Sequence, residues 1–381
     1  MNTFQMGTQI FSGSGSLEVI KNLNMNSVLV ICDPYMVASN KVNDIVEPLI
    51  ELGIPYTIFS EIIPDPTIEV VVKGVGELSI AKADTIIALG GGSAIDSAKA
   101  IKEVYSHSSK KDSKSIQLVA IPTTSGTGSE VTAFSVISDS QKSEKYALVD
   151  ASMIPDVAIL EPKLTETVPS HITADTGVDV MTHCFEAYVS TNATDFTDAC
   201  AEKGLRLAWE YLVSVVENGS DSLGREKLLN ASCLAGIAFN EASLGICHSL
   251  AHALGAKFHI PHGRANALLL PHVIAFNAGM DLNQDSETLD KFEAIAKLLG
   301  IQSGTKRGTV QSLISQLNRQ SKRMGIPKYI TECGVDKENF MTEIPEMARL
   351  AMADTCTVTN PRTPTNKELE QIYLQLCQGG Y

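Results

Sequence analysis

Positive charge is scarce in this chain: 30 Lys and Arg stand against 44 Asp and Glu, a formal net charge of -14 over 381 residues. Such a chain repels a phosphate backbone, and its one small basic cluster is Lys110, Lys111 and Lys114, so nucleic acid is excluded as an expected partner. Long apolar runs are missing as well. Val28 to Cys32, Ala267 to Leu270 and Val273 to Phe276 fall far short of the ~20 residues of a membrane span. Residues 1–16 lack the basic start and apolar centre of a secretory signal, which predicts a cytoplasmic protein with no membrane contact. The eight cysteines include no Cys-x-x-Cys pair, which argues against a zinc-thiolate site or a disulfide framework and for reduced thiols.

With 44% hydrophobic and 19% charged residues, the chain can bury the cores of two domains. Up to about residue 168, β-branched runs alternate with amphipathic stretches, the pattern of a parallel sheet wrapped by helices. Strands are expected at Ser27 to Cys32, Thr57 to Ser60, Thr85 to Leu89 and Leu118 to Ile121, with crossover helices at Asn40 to Leu52 and Ile68 to Ile80. Ser106 to Ser115 reads as a polar surface loop. From Pro169 onward the period is 3.6, with helices expected at Asp195 to Val216, Arg225 to Phe239, Leu289 to Leu299, Val310 to Met324 and Asn366 to Leu376. The fold class expected is α/β plus all-α: a Rossmann-like dinucleotide-binding domain over 1–168, then a helical metal-binding and substrate domain over 169–381.

Gly90, Gly91, Gly92 and Ser93 follow the strand TIIAL and open a helix. Backbone N–H groups at a helix start, with no Cβ in the way, make a cradle for a pyrophosphate. A plain Ser93–Asp96 capping box is the simpler account, but a cap does not need three consecutive glycines. Pro122 to Ser129, PTTSGTGS, is a second glycine- and hydroxyl-rich loop after a strand, and two such loops fit a ligand crevice at the carboxyl edge of a sheet. Lys145 could add a positive charge there. Asp33 follows the first strand, where a carboxylate can bind ribose hydroxyls and repel a 2′-phosphate, favouring NAD over NADP. Its place ahead of the glycine turn is unusual, and a helix cap explains it equally well.

Five of the eight histidines fall between residues 248 and 272. His248 and His252 are four apart, as are Asp179 and His183, so each pair shares a helix face and can address one point. His262, in a Pro-His-Gly turn, can supply another ligand. Apolar neighbours of Asp179 and His183 argue for a buried helix, in which an aspartate needs a compensating charge. Imidazole and carboxylate without thiolate suit Fe(II), Zn(II), Mn(II) or Co(II).

The segments GGGSAIDSAKA, PTTSGTGSEVT, DTGVDVMTHCFEAYVS and HSLAHALGAKFHIPHGRANALLLPHVIAFN, with the late Asn360-Pro361-Arg362, closely resemble the iron-containing, group III alcohol dehydrogenases. The resemblance implies an NAD(H)-dependent interconversion of alcohols and aldehydes with Fe2+, or Zn2+, held by Asp179, His183, His248 and His262. It implies that His252 is a catalytic proton relay and that Phe134, Phe239 and Cys356 line the substrate crevice. With the two loops it gives a cofactor-contacting set of Asp33, Asp65, Gly91, Gly92, Ser93, Asp96, Thr123, Thr124, Thr127, Thr132 and Lys145. Departures from common family patterns are Asp65 where Asn is frequent, Ala253 where Pro often follows the histidine, and Arg264 where an apolar residue is usual.

Within the family, the start MNTF and the stretches SEIIPDPTIEVVVKG and STNATDFTDACAEKGLRLA are most similar to 1-propanol dehydrogenases of propanediol-utilisation microcompartments. That implies reduction of propionaldehyde, a homodimer or larger assembly, and microcompartment enzymes or shell as partners. Ethanol dehydrogenases of ethanolamine utilisation and diol or lactaldehyde dehydrogenases are the near alternatives. A dehydroquinate synthase-like lyase would need more Arg and Lys around Asp179 and His248, and a metal hydrolase or a non-catalytic metal-binding protein would leave both crevice loops without a use.

Overall fold

A computed structural model of the chain describes residues 3–109, 116–140, 144–282 and 284–378. The chain divides into two compact units. One comprises Gln5–Val168 with Ser220–Gly236, the other Met1–Phe4 with Pro169–Gly219 and Ile237–Tyr381. They are therefore interleaved rather than the two continuous halves 1–168 and 169–381. Arg225, 2% exposed, joins its segment to the first unit by donating to the Val168 carbonyl at 3.1 Å.

The first unit is built on strands β1 (Gln9–Ser12), β2 (Val28–Cys32), β3 (Tyr56–Phe59), β4 (Thr85–Gly90), β5 (Gln117–Pro122) and β8 (Val157–Leu160). They form a parallel sheet in the order β1-β8-β5-β4-β2-β3. Helices α1 (Pro34–Ala38), α2 (Asn43–Glu51), α3 (Ile68–Ala81) and α4 (Gly92–Ser109) connect the strands. Side chains alternate between two cores: Leu29, Ile31, Ile86 and Leu118 pack with Val71, Leu78, Ile95 and Ile101 on one side. Val28, Val30, Ile87 and Val119 pack with Ile45 and Leu49 on the other. Burial on both faces is why these strands read as unbroken apolar runs.

Each expected strand and helix overlaps an observed one, several overrunning it by a residue, and the larger differences have local causes. Asn40 has a positive φ of 60°, so α2 begins at Asn43 instead of Asn40, and the short helix α1 before it was not expected. Ser106 to Ser109 extend α4 instead of opening a loop: the Ser106 hydroxyl is buried and donates to the Lys102 carbonyl at 2.8 Å, while 110–115 lie outside the described residues. The short edge strand β1 and the antiparallel pair β6 (Phe134–Asp139) and β7 (Glu144–Val149) carried no sequence signal strong enough to read.

The second unit is helical: α5 (Ser170–Val189), α6 (Asp195–Glu217), the end of α7 (Ser222–Ala242), α8 (Ile246–Phe258), α9 (His262–Asn277), α10 (Glu287–Leu298), α11 (Lys306–Arg323), α12 (Lys337–Ala353) and α13 (Asn366–Gln378). Helix α5 packs against α6 and α9, and every residue from Gly177 to Val189 is buried. Among the described residues no helix is long and apolar enough to cross a membrane.

Candidate active site

Three helices of the second unit converge by the same rule, that residues four apart share a face. Helix α5 presents Asp179 and His183, α8 presents His248 and His252, and α9 opens with His262. The donor atoms of Asp179, His183, His248 and His262 all lie within 4.8 Å of one another. Asp179 Oδ1 is 3.7 Å from His248 Nε2 and 3.5 Å from His262 Nε2. A tetrahedral shell with bonds near 2.1 Å separates its donors by roughly 3.4 Å, so the group fits a transition-metal ion. Asn266, one turn after His262, points its amide nitrogen at the same place, 2.7 Å from Asp179 Oδ1 and 3.2 Å from each of these two Nε2 atoms. A polar hydrogen donor against those lone pairs marks where positive charge is favoured.

Electrostatics make the same point. Burial raises the pKa of Asp179 and lowers that of His248 well below its ordinary value, the nearby His262 and His252 adding to the latter. Three buried donors and the more exposed His262, without positive charge, penalise the ionised carboxylate, and a divalent cation reverses that penalty. His248 is oriented by Glu186, whose Oε2 accepts the Nδ1 hydrogen at 2.5 Å and whose Oε1 accepts the Cys247 N–H at 2.6 Å. Burial pushes Glu186 up to about 7 against those hydrogen bonds. The carboxylate–histidine pairing directs the Nε2 lone pair into the site. Glu186→Gln is therefore expected to weaken metal affinity about 10–100-fold, read by competition with a chelator, while the fold stays intact.

Packing fixes the other ligands. The His183 ring lies between Phe239 and His248, stacked on each with centroids 4.6 Å apart. Helix α9 is tied to α5 by a bidentate Arg264–Asp175 pair, at 3.2 and 2.9 Å, next to His262. This accounts for the unusual Arg264: a carboxylate one turn before Asp179 receives it. Asn360, of the Asn-Pro-Arg segment, accepts from the Ile246 N–H at 3.2 Å and exchanges two hydrogen bonds with Asn277, joining the start of α8 to the end of α9. His252 does not join the four ligands; its Nδ1 donates to Asp354 at 2.8 Å and its ring stacks on His262. Phe239 and Cys356 both border this region, Cys356 within 4.8 Å of the donor atoms of His252 and Asp354. His259 terminates α8 with φ 55°, and His272 is pushed down to about 4 by burial, so each has a structural place away from the ligands.

In the first unit, parallel register sets Cys32 opposite Leu89 and Gly90 opposite Pro122, so Asp33, Gly91 and Thr123 leave the sheet at one edge. From β2 the chain passes to β3 on one side and returns to β4 on the other, which makes the β2/β4 boundary the switch point where such sheets bind ligands. Asp33 precedes the glycine turn in sequence yet adjoins it in space, since a Cβ on Gly90 would lie 3.7 Å from Asp33 Oδ2. Its Oδ1 accepts the Met36 N–H at 3.1 Å, so it is also the cap of α1.

The glycine turn opens an eighteen-residue helix whose first N–H groups, those of Gly92 and Ser93 included, have no intrahelical acceptor. A Cβ on Gly92 would meet the Thr127 methyl at 2.7 Å, and one on Gly91 the Thr124 hydroxyl at 3.1 Å, so the two loops are in contact. Thr123 is buried, Thr127 is exposed, and Asp65 is exposed with φ 53°. The Lys145 side chain lies outside the described residues.

Asp96 and Thr132 face inward in this structure. Asp96 accepts from the Ser129 hydroxyl at 2.6 Å and the Val136 N–H at 3.0 Å, so it neither forms the capping box nor presents a free carboxylate oxygen. Fully buried Lys99 donates to Ser129 at 2.9 Å, Thr132 at 3.2 Å and the Phe134 carbonyl at 2.7 Å. Burial lowers Lys99 to about 8 against the pull of Asp96 and Glu130, and raises Glu130 to about 7. These residues shape the hydroxyl loop from beneath, and the Phe134 backbone is part of that support.

A glycine-loop dinucleotide site and a carboxylate–imidazole cation site in one chain are the equipment of a metal-assisted nicotinamide dehydrogenase. The chain belongs to the iron-containing alcohol dehydrogenase family: the model for iron-containing alcohol dehydrogenase matches residues 7–162 and the family's C-terminal model matches 173–377. It is an NAD-dependent alcohol dehydrogenase whose cofactors are NAD(H) and iron.

It is 43% identical to 1-propanol dehydrogenase PduQ of Salmonella typhimurium, over 97% of each chain. It is 39% identical to an NADPH-dependent butanol dehydrogenase of Clostridium saccharobutylicum, over 98% of this chain and 97% of that one. Among solved structures, a 1,3-propanediol oxidoreductase superposes with a TM-score of 0.90 at 32% identity, covering 99% of this chain and 100% of the other. A sulfoacetaldehyde reductase of Bifidobacterium kashiwanohense in complex with NAD+ does so with 0.88 at 25% identity, covering 100% of both.

Proposed function

We propose that this enzyme reduces short-chain aldehydes, propionaldehyde foremost, to primary alcohols at the expense of NADH. The observation that carries the substrate class is near-full-length similarity to two proteins named 1-propanol dehydrogenase, at 43% and 41% identity. Bound at Asp179, His183, His248 and His262, the metal supplies Lewis-acid polarisation of a carbonyl, and the dinucleotide supplies hydride. Glu186 keeps the His248 Nε2 lone pair in place, and Phe239 and Cys356 narrow the surroundings in favour of a short carbon chain. His252, with Nδ1 held by Asp354, offers Nε2 as the atom that gives a proton to the product oxygen. A panel of aldehydes assayed with NADH and NADPH tests the proposal. Propionaldehyde should rank first or close to it, and absence of NADH oxidation with any short aldehyde would overturn it.

Asp33 is the residue to which we assign the choice of NADH over NADPH. Asp33→Ser keeps a capping oxygen for α1 and removes the charge, so kcat/KM for NADPH relative to NADH should rise about tenfold or more, as relief of carboxylate–phosphate repulsion requires. An unchanged ratio would remove Asp33 from this role. On the same resemblance, the protein works in the cytoplasm as a homodimer or larger assembly packaged in a bacterial microcompartment, which sedimentation and co-purification with shell proteins would test.

A further inference from the structure

We propose that Asp354 is the positioning residue for His252, holding the ring hydrogen on Nδ1 so that Nε2 is the atom that exchanges the proton. The inference rests on the function proposed above and adds a residue to its proton path. Asp354 is 102 positions from His252 in the chain and reaches it from the end of α12, with Oδ2 2.8 Å from Nδ1. The carboxylate is itself fixed. Its Oδ1 accepts the Cys356 N–H at 2.8 Å and the Ser249 hydroxyl at 3.4 Å, and Ser249 accepts from Thr357 at 2.8 Å.

The imidazole is the more open partner, with 45% of its side chain exposed against 20% for Asp354. A ring bound at Nδ1 and open to solvent has the connectivity of a relay. With Nδ1 committed to Asp354, Nε2 is the ring nitrogen left to exchange a proton with the product oxygen. Asp354 accepts from Nδ1 throughout and itself gains no proton. Its geometry selects the tautomer.

Asp354 also caps the turn Thr355–Thr359, so the test must separate positioning from structure. Zinc-loaded, 15N-histidine-labelled full-length protein reports the His252 tautomer by its nitrogen chemical shifts, assigned by difference with His252→Gln. The wild type should show hydrogen on Nδ1. Asp354→Ala should shift the ring toward the Nε2-protonated form. In the iron enzyme, kcat per bound metal should fall at least about tenfold with aldehyde KM unchanged, a smaller loss than the ~10²–10⁴-fold of removing a general acid outright. Asp354→Asn keeps the cap and removes the charge, and should lower kcat per bound metal in a folded protein even if the alanine variant does not fold. Wild-type kcat per bound metal with an unchanged tautomer in either variant would overturn the proposal. If the wild type reduces no aldehyde, the function fails instead, and the tautomer signal still decides whether Asp354 holds His252.

Discussion

His248→Ala is expected to remove metal and turnover together. His248 is 1% exposed and its Nε2 lies 3.7 Å from Asp179 Oδ1, so no surface water can take its place without reorganising the packed interior of α5 and α8. The substitution also strips Glu186 of its imidazole partner and leaves a buried carboxylate of raised pKa facing a cavity, a further cost to the packed site. The loss of metal affinity should therefore exceed the roughly 10–100-fold of losing an outer partner alone. Metal analysis after desalting and NADH oxidation on the same sample check this. Full occupancy with low turnover would remove His248 from the ligand set.

Gly263→Ala should come next in effect although Gly263 is not itself a ligand. A Cβ there would lie 2.2 Å from the Asp175 carbonyl oxygen and 2.7 Å from its carbon, backbone atoms in the middle of buried α5 that cannot swing aside as a side chain would. Relief requires α9 to move off α5, carrying His262 and Asn266 with it and loosening the Arg264–Asp175 pair. Overpacking of this kind costs ~1–3 kcal/mol or more, so thermal unfolding should occur at lower temperature. The metal should be lost to a chelator faster than from the wild type. Unchanged metal release would mean that the α5–α9 contact does not hold the site.

How far the sequence reveals this site depends on separation along the chain. Asp179 and His183, and His248 and His252, are legible because four-residue spacing on a helix is a statement about direction in space. Glu186 and Asn266 continue the same series, seven residues after Asp179 and four after His262, and that extension would have found them. Asp354 follows no periodic rule. Its contact spans 102 residues and depends on how α12 ends against α8.

In the first unit, the glycine turn and the strands around it are plain, because burial on both faces leaves continuous apolar runs. The topology is less so. That Asp33 adjoins Gly90 follows from β2 and β4 being neighbours, and strand order is not written in local pattern. The inward turn of Asp96 and Thr132 depends on Lys99 being buried, and a lysine in a helix of small residues gives no sign of that.

The metal-to-protein ratio of anaerobically purified protein, followed through chelation and stepwise return of Fe2+ with NADH-dependent propionaldehyde reduction measured at each step, addresses the cation site most directly. One metal ion per chain, with activity lost on chelation and restored in proportion to occupancy, is the expected result. Undiminished reduction by protein stripped of metal would contradict the assignment of Asp179, His183, His248 and His262 as the ligands of a catalytic ion.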